Sequence, residues 1–89
     1  MGEFIVDLSN ARSFEEFEST FNEDFCRHVS GEWRGRSWNA FHDYLSWPPE
    51  KNYKLIIRGW EFSPALDLED RRIIREIFDA NPQVQVQFG

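Results

Sequence analysis

Gly31-Glu32-Trp33-Arg34-Gly35-Arg36-Ser37-Trp38-Asn39-Ala40-Phe41-His42-Asp43-Tyr44-Leu45 is the stretch on which the order of elements turns. It reads as a loop that feeds directly into a short helix. Ser37 suits the N-cap, where its hydroxyl accepts an otherwise unpaired backbone N–H of the first turn. Trp38, Phe41 and Leu45 recur at helical spacing and give an apolar stripe. Asn39, His42, Asp43 and Ser46 give a polar stripe on another face, with Asn39 and Asp43 four apart and therefore neighbours. The helix is expected over 38–46. Trp47-Pro48-Pro49 stops it, because two prolines remove two donors and disfavour helix in the residue before them. The loop carries two glycines and a Trp33, expected at the surface, flanked by Arg34 and Arg36. Loops of that kind commonly carry function.

Upstream, Phe4-Ile5-Val6-Asp7-Leu8 reads as a strand. Phe4, Val6 and Leu8 share one face and Ile5 makes the other apolar, the pattern of an inner strand in a parallel sheet. Ser13-Phe14-Glu15-Glu16 matches a capping box. Phe14, Phe17, Phe21 and Phe25 then line one helical face, while Glu15, Glu16, Glu18, Glu23 and Asp24 lie on solvated faces. Cys26 to Arg36 has no period and is expected to be irregular.

Downstream, a turn over Glu50-Lys51-Asn52 leads into Tyr53-Lys54-Leu55-Ile56-Ile57, a second strand whose branched run suggests burial on both sides. Arg58 to Pro64 forms a loop at its carboxyl end. Asp67 suits the N-cap of a last helix, with Ile73, Ile74, Ile77 and Phe78 buried and Arg71, Arg72 and Arg75 on the solvent face. Asn81-Pro82 ends it. Val84, Val86 and Phe88 alternate with Gln85 and Gln87, as in a strand near an edge. Strand, helix, helix, strand, helix, strand implies an α/β fold: a single domain, 1–89, with a three-stranded, mostly parallel sheet and three to four helices.

Eighty-nine residues with nine Phe and four Trp suit one small core rich in apolar area per side chain. Four Trp are too many for that core alone, so at least one is expected outside it. Sixteen Asp and Glu against ten Lys and Arg give a net charge of −6. That balance argues against direct nucleic-acid binding, which needs a basic footprint, and fits a cationic protein partner. Cys26 is the only cysteine, so no internal disulfide is possible. No run approaches the roughly 20 apolar residues of a membrane span. Met1-Gly2-Glu3 leads straight into a strand without a basic-plus-apolar signal segment, so a reducing cytoplasm is the expected location.

Catalytic signals are weak. No nucleophile elbow, P-loop or dinucleotide fingerprint occurs. Cys26 and His28 are two apart and diverge on a helix or a strand, which leaves a cysteine nucleophile without its base. Cys26, His28, His42 and Asp43 match no zinc spacing. Asp43, Glu32 and Glu61 would need a cleft to act as paired carboxylates. Neither an enzymatic activity nor a metal, cofactor or small-molecule substrate is expected. Interaction signals are stronger, because Trp33, His42, Asp43, Tyr44 and Trp47 gather on or around one short helix, and aromatic groups with a few charges on a rigid element make binding hot spots.

The loop and the run Trp38-Asn39-Ala40-Phe41-His42-Asp43-Tyr44-Leu45, followed by Ser46-Trp47-Pro48, resemble the barstar family of intracellular inhibitors of the ribonuclease barnase. The element order resembles it over nearly the whole chain. The resemblance implies a 1:1 complex with a cationic bacterial ribonuclease toxin, as an immunity protein or antitoxin, its basic active site covered by loop 29–36 and helix 38–46. In that family, carboxylates stand in for the RNA phosphate. The resemblance assigns the dominant inhibitory aspartate to Asp43, a second and usually acidic position to Asn39, an aromatic contact to His42 and a hydroxyl contact to Ser46. It assigns loop contacts to Glu32, Trp33 and Arg34, and a further acidic contact near the end of the last helix to Asp79. Asn39 departs from the pattern by lacking a charge, and Arg34 and Arg36 by adding positive charge. Those departures point to a toxin different from barnase. A non-inhibitory protein-binding domain of the same fold is the alternative.

Overall fold

Three runs carry the alternation that a strand covered on one face requires, and each is a strand: β1 (Gly2–Asp7), β2 (Tyr53–Arg58) and β3 (Val84–Phe88). The computed structural model describes residues 2–35, 37–48 and 52–89. Arg36, and Glu50 and Lys51 of the expected turn, lie outside the described residues. The sheet is parallel throughout, in the order β1-β2-β3. Its register sets Phe4 beside Leu55 and Leu55 beside Val86, then Val6 beside Ile57 and Ile57 beside Phe88. The apolar halves of all three alternations therefore fall on one face.

Three α-helices cover that face: α1 (Phe14–Asp24), α2 (Trp38–Tyr44) and α3 (Leu68–Asp79). A parallel sheet whose strands step in one direction through right-handed crossovers carries every crossover helix on the same side. The other face presents Glu3, Ile5 and Asp7, then Lys54, Ile56 and Arg58, then Gln85 and Gln87. This corrects the expectation of an inner β1. β1 is an edge strand, and Ile5, 39% exposed, packs beside Ile56 on the open face rather than under a second helical layer.

Cys26–Val29 is a 3-10 turn, where irregular chain was expected. The apolar face of α1 runs on through the fully buried Phe25 and Cys26, so the backbone keeps turning. The His28 N–H donates to the Phe25 carbonyl at 3.0 Å. Ser13 caps α1 by accepting from the Glu16 N–H at 3.2 Å. The Glu16 carboxylate accepts from the Arg12 N–H at 3.3 Å, one residue before the position a reciprocal box uses. Asp67 and Asp70 form a complete capping box on α3.

The core is an aromatic stack between α1, α2 and the sheet. Phe21 stacks on Phe41 at 4.7 Å, and Phe4 meets Phe25 edge-on at 4.9 Å. Such pairs add about 0.5–1.5 kcal/mol each beyond their buried area. Arg71 corrects a second expectation, since it is not part of the solvent face. Its guanidinium donates to the carbonyls of Trp60, Leu66, Glu61 and Ser63 at 3.2, 2.7, 3.3 and 2.9 Å. One planar fork thus ties the whole β2–α3 connection to α3.

Candidate protein-binding surface

The short helix α2 is amphipathic in the sense expected. Ser37 caps it by accepting the Ala40 N–H at 3.4 Å. Phe41 and Leu45 are fully buried, and Asn39, His42, Asp43 and Ser46 are exposed. Trp47 is 48% exposed and meets Tyr44 edge-on at 4.7 Å. Asp43 has no ion-pair partner among the described residues. The polar stripe therefore stands in solvent on a helix whose back is locked into the core.

Trp33 is where expectation and structure part. It is completely buried, ringed by Phe14, Phe17, Phe21, Trp38 and Phe41 with centroids 5.1–5.7 Å away. Its indole N–H donates to the Ser37 carbonyl at 2.7 Å. Its backbone is gripped twice by the buried Asn22: the Trp33 N–H donates to Oδ1 at 2.6 Å and Nδ2 donates to the Trp33 carbonyl at 2.7 Å. A side chain so placed cannot touch a partner. Trp33 anchors the loop, and the exposed tryptophan is Trp47. Asn22 carries no pattern in the sequence beyond being one polar residue on α1, so nothing short of the fold reveals its role.

A third clamp joins the loop to α2. The Tyr44 hydroxyl donates to the Glu32 carbonyl at 2.7 Å and accepts the Glu32 N–H at 3.3 Å. Gly31 makes this fit possible, because a Cβ there would lie 2.6 Å from the Tyr44 ring. Glu32 and Arg34 are exposed on the loop and paired at 2.6 Å. The hydrogen bond from Arg34 holds the Glu32 carboxyl below its ordinary range. This pair leaves Glu32 without net charge to offer on its own.

Asp79 is not brought to α2. It lines the far flank of α3 with Arg75, Phe78 and Pro82. The groove between α2 and α3 is bounded by Trp38, Asn39, His42, Ile73, Glu76 and Ile77. The acidic residue of α3 that shares this groove with α2 is Glu76, three residues earlier, held by Arg72 at 2.8 Å. Spacing from Ile73 and Ile77, both half-buried, could have selected it, since Glu76 lies on their side of the helix.

Cys26 is buried, and burial pushes its thiol up to about 12. It is a thiol and not a thiolate near neutrality, and so no nucleophile. Among the described residues no three His, Cys, Asp or Glu side chains cluster as metal ligands, and no helix is long and apolar enough to cross a membrane.

A clamped loop and a short polar helix, raised on a one-sided α/β layer, present exposed polar groups on a rigid support. The chain belongs to the barstar family: residues 1–87 match the model for Barstar (barnase inhibitor). That family consists of inhibitors and not enzymes, and its partner is a ribonuclease. No curated protein matches the chain.

Proposed function

We propose that this protein inhibits a bacterial ribonuclease toxin in the cytoplasm, as an immunity protein in a 1:1 complex. It lays α2 and loop 29–36 over the enzyme's basic active site. Asp43 takes the place of the RNA phosphate among the enzyme's cations. Asn39, His42, Ser46, Trp47 and Glu76 surround it, with Glu32 and Arg34 at the loop side. The observation that carries this reading is Asp43, exposed and without an ion-pair partner among the described residues, on a helix with a rigid back in a barstar-family chain of net charge −6. Asn39 in place of a carboxylate, with Arg34 and Arg36 adding positive charge beside it, favours a toxin whose basic site is flanked by acidic groups that receive those arginines. The test is a titration of the protein into the toxin encoded beside it, with RNA cleavage as readout and Asp43→Ala in parallel. Stoichiometric inhibition that Asp43→Ala loses is the expected result. Inhibition that survives the substitution moves the interface away from α2. Absence of inhibition leaves a protein-binding domain with another partner.

A further inference from the structure

A groove of about 710 Å³ separates α3 from the outer edge of β3, on the flank of α3 turned away from α2. Phe78, Val84, Val86 and Phe88 give it an apolar lining, and Arg75 and Asp79 stand on its helical wall. We propose that a second copy of this chain fills it, through antiparallel pairing of β3 with β3 about a twofold axis at Val86.

The backbone supports that pairing. The Tyr53 N–H donates to the Gln83 carbonyl at 3.2 Å, and the Gly89 N–H donates to the Ile57 carbonyl at 3.0 Å. Odd-numbered residues of β3 thus turn their backbone groups toward β2. Backbone direction alternates along a strand, so Val84, Val86 and Phe88 turn theirs outward. The Val84 N–H is taken by the Asn81 carbonyl at 3.0 Å. In an antiparallel ladder, a directly opposed pair with outward groups exchanges both hydrogen bonds. Val86 facing Val86 of the second copy makes such a pair. Phe88 N–H then meets the Val84 carbonyl of the other copy, on both sides of the axis.

The side chains agree with the same axis. Gln85 and Gln87 fall opposite each other on the open face, where cross-strand amides can pair. On the covered face, Phe88 comes beside Val84 of the second copy. Arg75 lies over the Phe88 ring at 5.3 Å, while Asp79, one turn on, shares the Pro82 and Val84 end of the groove. The twofold axis therefore brings Arg75 of each copy to Asp79 of the other, so the surface is complementary in charge to itself. Asp79 sits in the last turn of α3, which holds no basic residue, so the helix dipole opposes its charge and a cation from outside relieves it. β3 also lacks the charges and prolines that blunt edge strands, whereas β1 carries Glu3 and Asp7. Loop 29–36 and α2 are not used, so the pairing stands whether or not they bind a ribonuclease.

The test is sedimentation equilibrium of the whole chain from about 10 µM to about 1 mM, a range that spans weak self-association. The mass is expected to rise from 10.7 kDa toward twice that value. Arg75→Asp and Asp79→Arg place like charges together at both ends of the interface. Each is expected to raise the dissociation constant at least about tenfold. An equimolar mixture of these two variants restores opposite charges at every contact and is expected to dimerise again. Val86→Pro removes an outward N–H without touching the β2 ladder and is expected to be a folded monomer, with unchanged far- and near-ultraviolet circular dichroism. A wild-type chain that stays monomeric to the top of the range overturns the proposal. So does a mixture that fails to associate, a dimer that survives Val86→Pro, or growth beyond the dimer, which marks β3-to-β1 stacking.

Discussion

Asp43 is the side chain whose truncation is expected to cost binding most. A carboxylate placed among several cations leaves them desolvated and unpaired when it is removed, a loss of about 2 kcal/mol or more, roughly thirtyfold in affinity. Asn39 offers one neutral amide on the same stripe, and its truncation removes about 1 kcal/mol. Inhibition constants for Asp43→Ala and Asn39→Ala against the cognate toxin are therefore expected to separate by about fivefold or more. Equal losses would mean that the stripe does not face the enzyme's cations. Both side chains are exposed, so both variants are expected to melt within a degree or two of wild type. Cys26 is the opposite kind of residue. Enclosed and held neutral, it is expected to resist alkylation at pH 8 for as long as the chain is folded, and to react fully in denaturant. Rapid modification of native protein would show that the Phe25–Cys26 corner opens.

The elements around the site hold their positions through polar contacts that a hydrophobic pattern does not record. Asn22 satisfies both backbone groups of Trp33 in the interior, and a buried unsatisfied group costs about 1–3 kcal/mol. Asn22→Ala is expected to destabilise the protein by about 2–4 kcal/mol, since two groups are orphaned. That corresponds to a fall of at least about 8 °C in melting temperature for a domain of this size. It is also expected to weaken inhibition, although Asn22 lies beneath the surface, because the loop must be ordered again on binding. Unchanged melting would show that water replaces the amide. The three strands, the three α-helices and the polar stripe of α2 were legible in the sequence, because period and caps belong to neighbouring residues. Trp33 was not, since a loop has no period to separate an anchor from an exposed aromatic. Ile5 misled because one apolar residue on an open face looks like burial. That Asp79 lies on the flank of α3 away from α2, while Glu76 shares their groove, depends on helical phase, which only the packing of α3 against α2 fixes.

At the scale of the molecule, the core is aromatic and includes two ionisable groups that do not ionise there. The Tyr53 hydroxyl donates to the Leu45 carbonyl at 2.7 Å, and burial raises it above its ordinary 10.0. Cys26 is pushed up from 9.0 to about 12. Below about pH 9 both groups carry their protons whether the chain is folded or not, so they leave stability level there. Above that pH the unfolded chain releases the thiol proton, and above about 10 the phenol proton, while the folded chain keeps both. The unfolded state then binds fewer protons, and stability falls as pH rises, by at most about 1.4 kcal/mol per pH unit for each group. Urea unfolding from pH 7 to 11 is therefore expected to give a plateau, then a decline that begins near pH 9 and steepens near pH 10. In Cys26→Ala the decline is expected to begin with Tyr53 alone, about one pH unit later. A core tight enough to back a binding helix must keep these protons, so a plateau reaching pH 11 would show that water enters between α1 and the sheet.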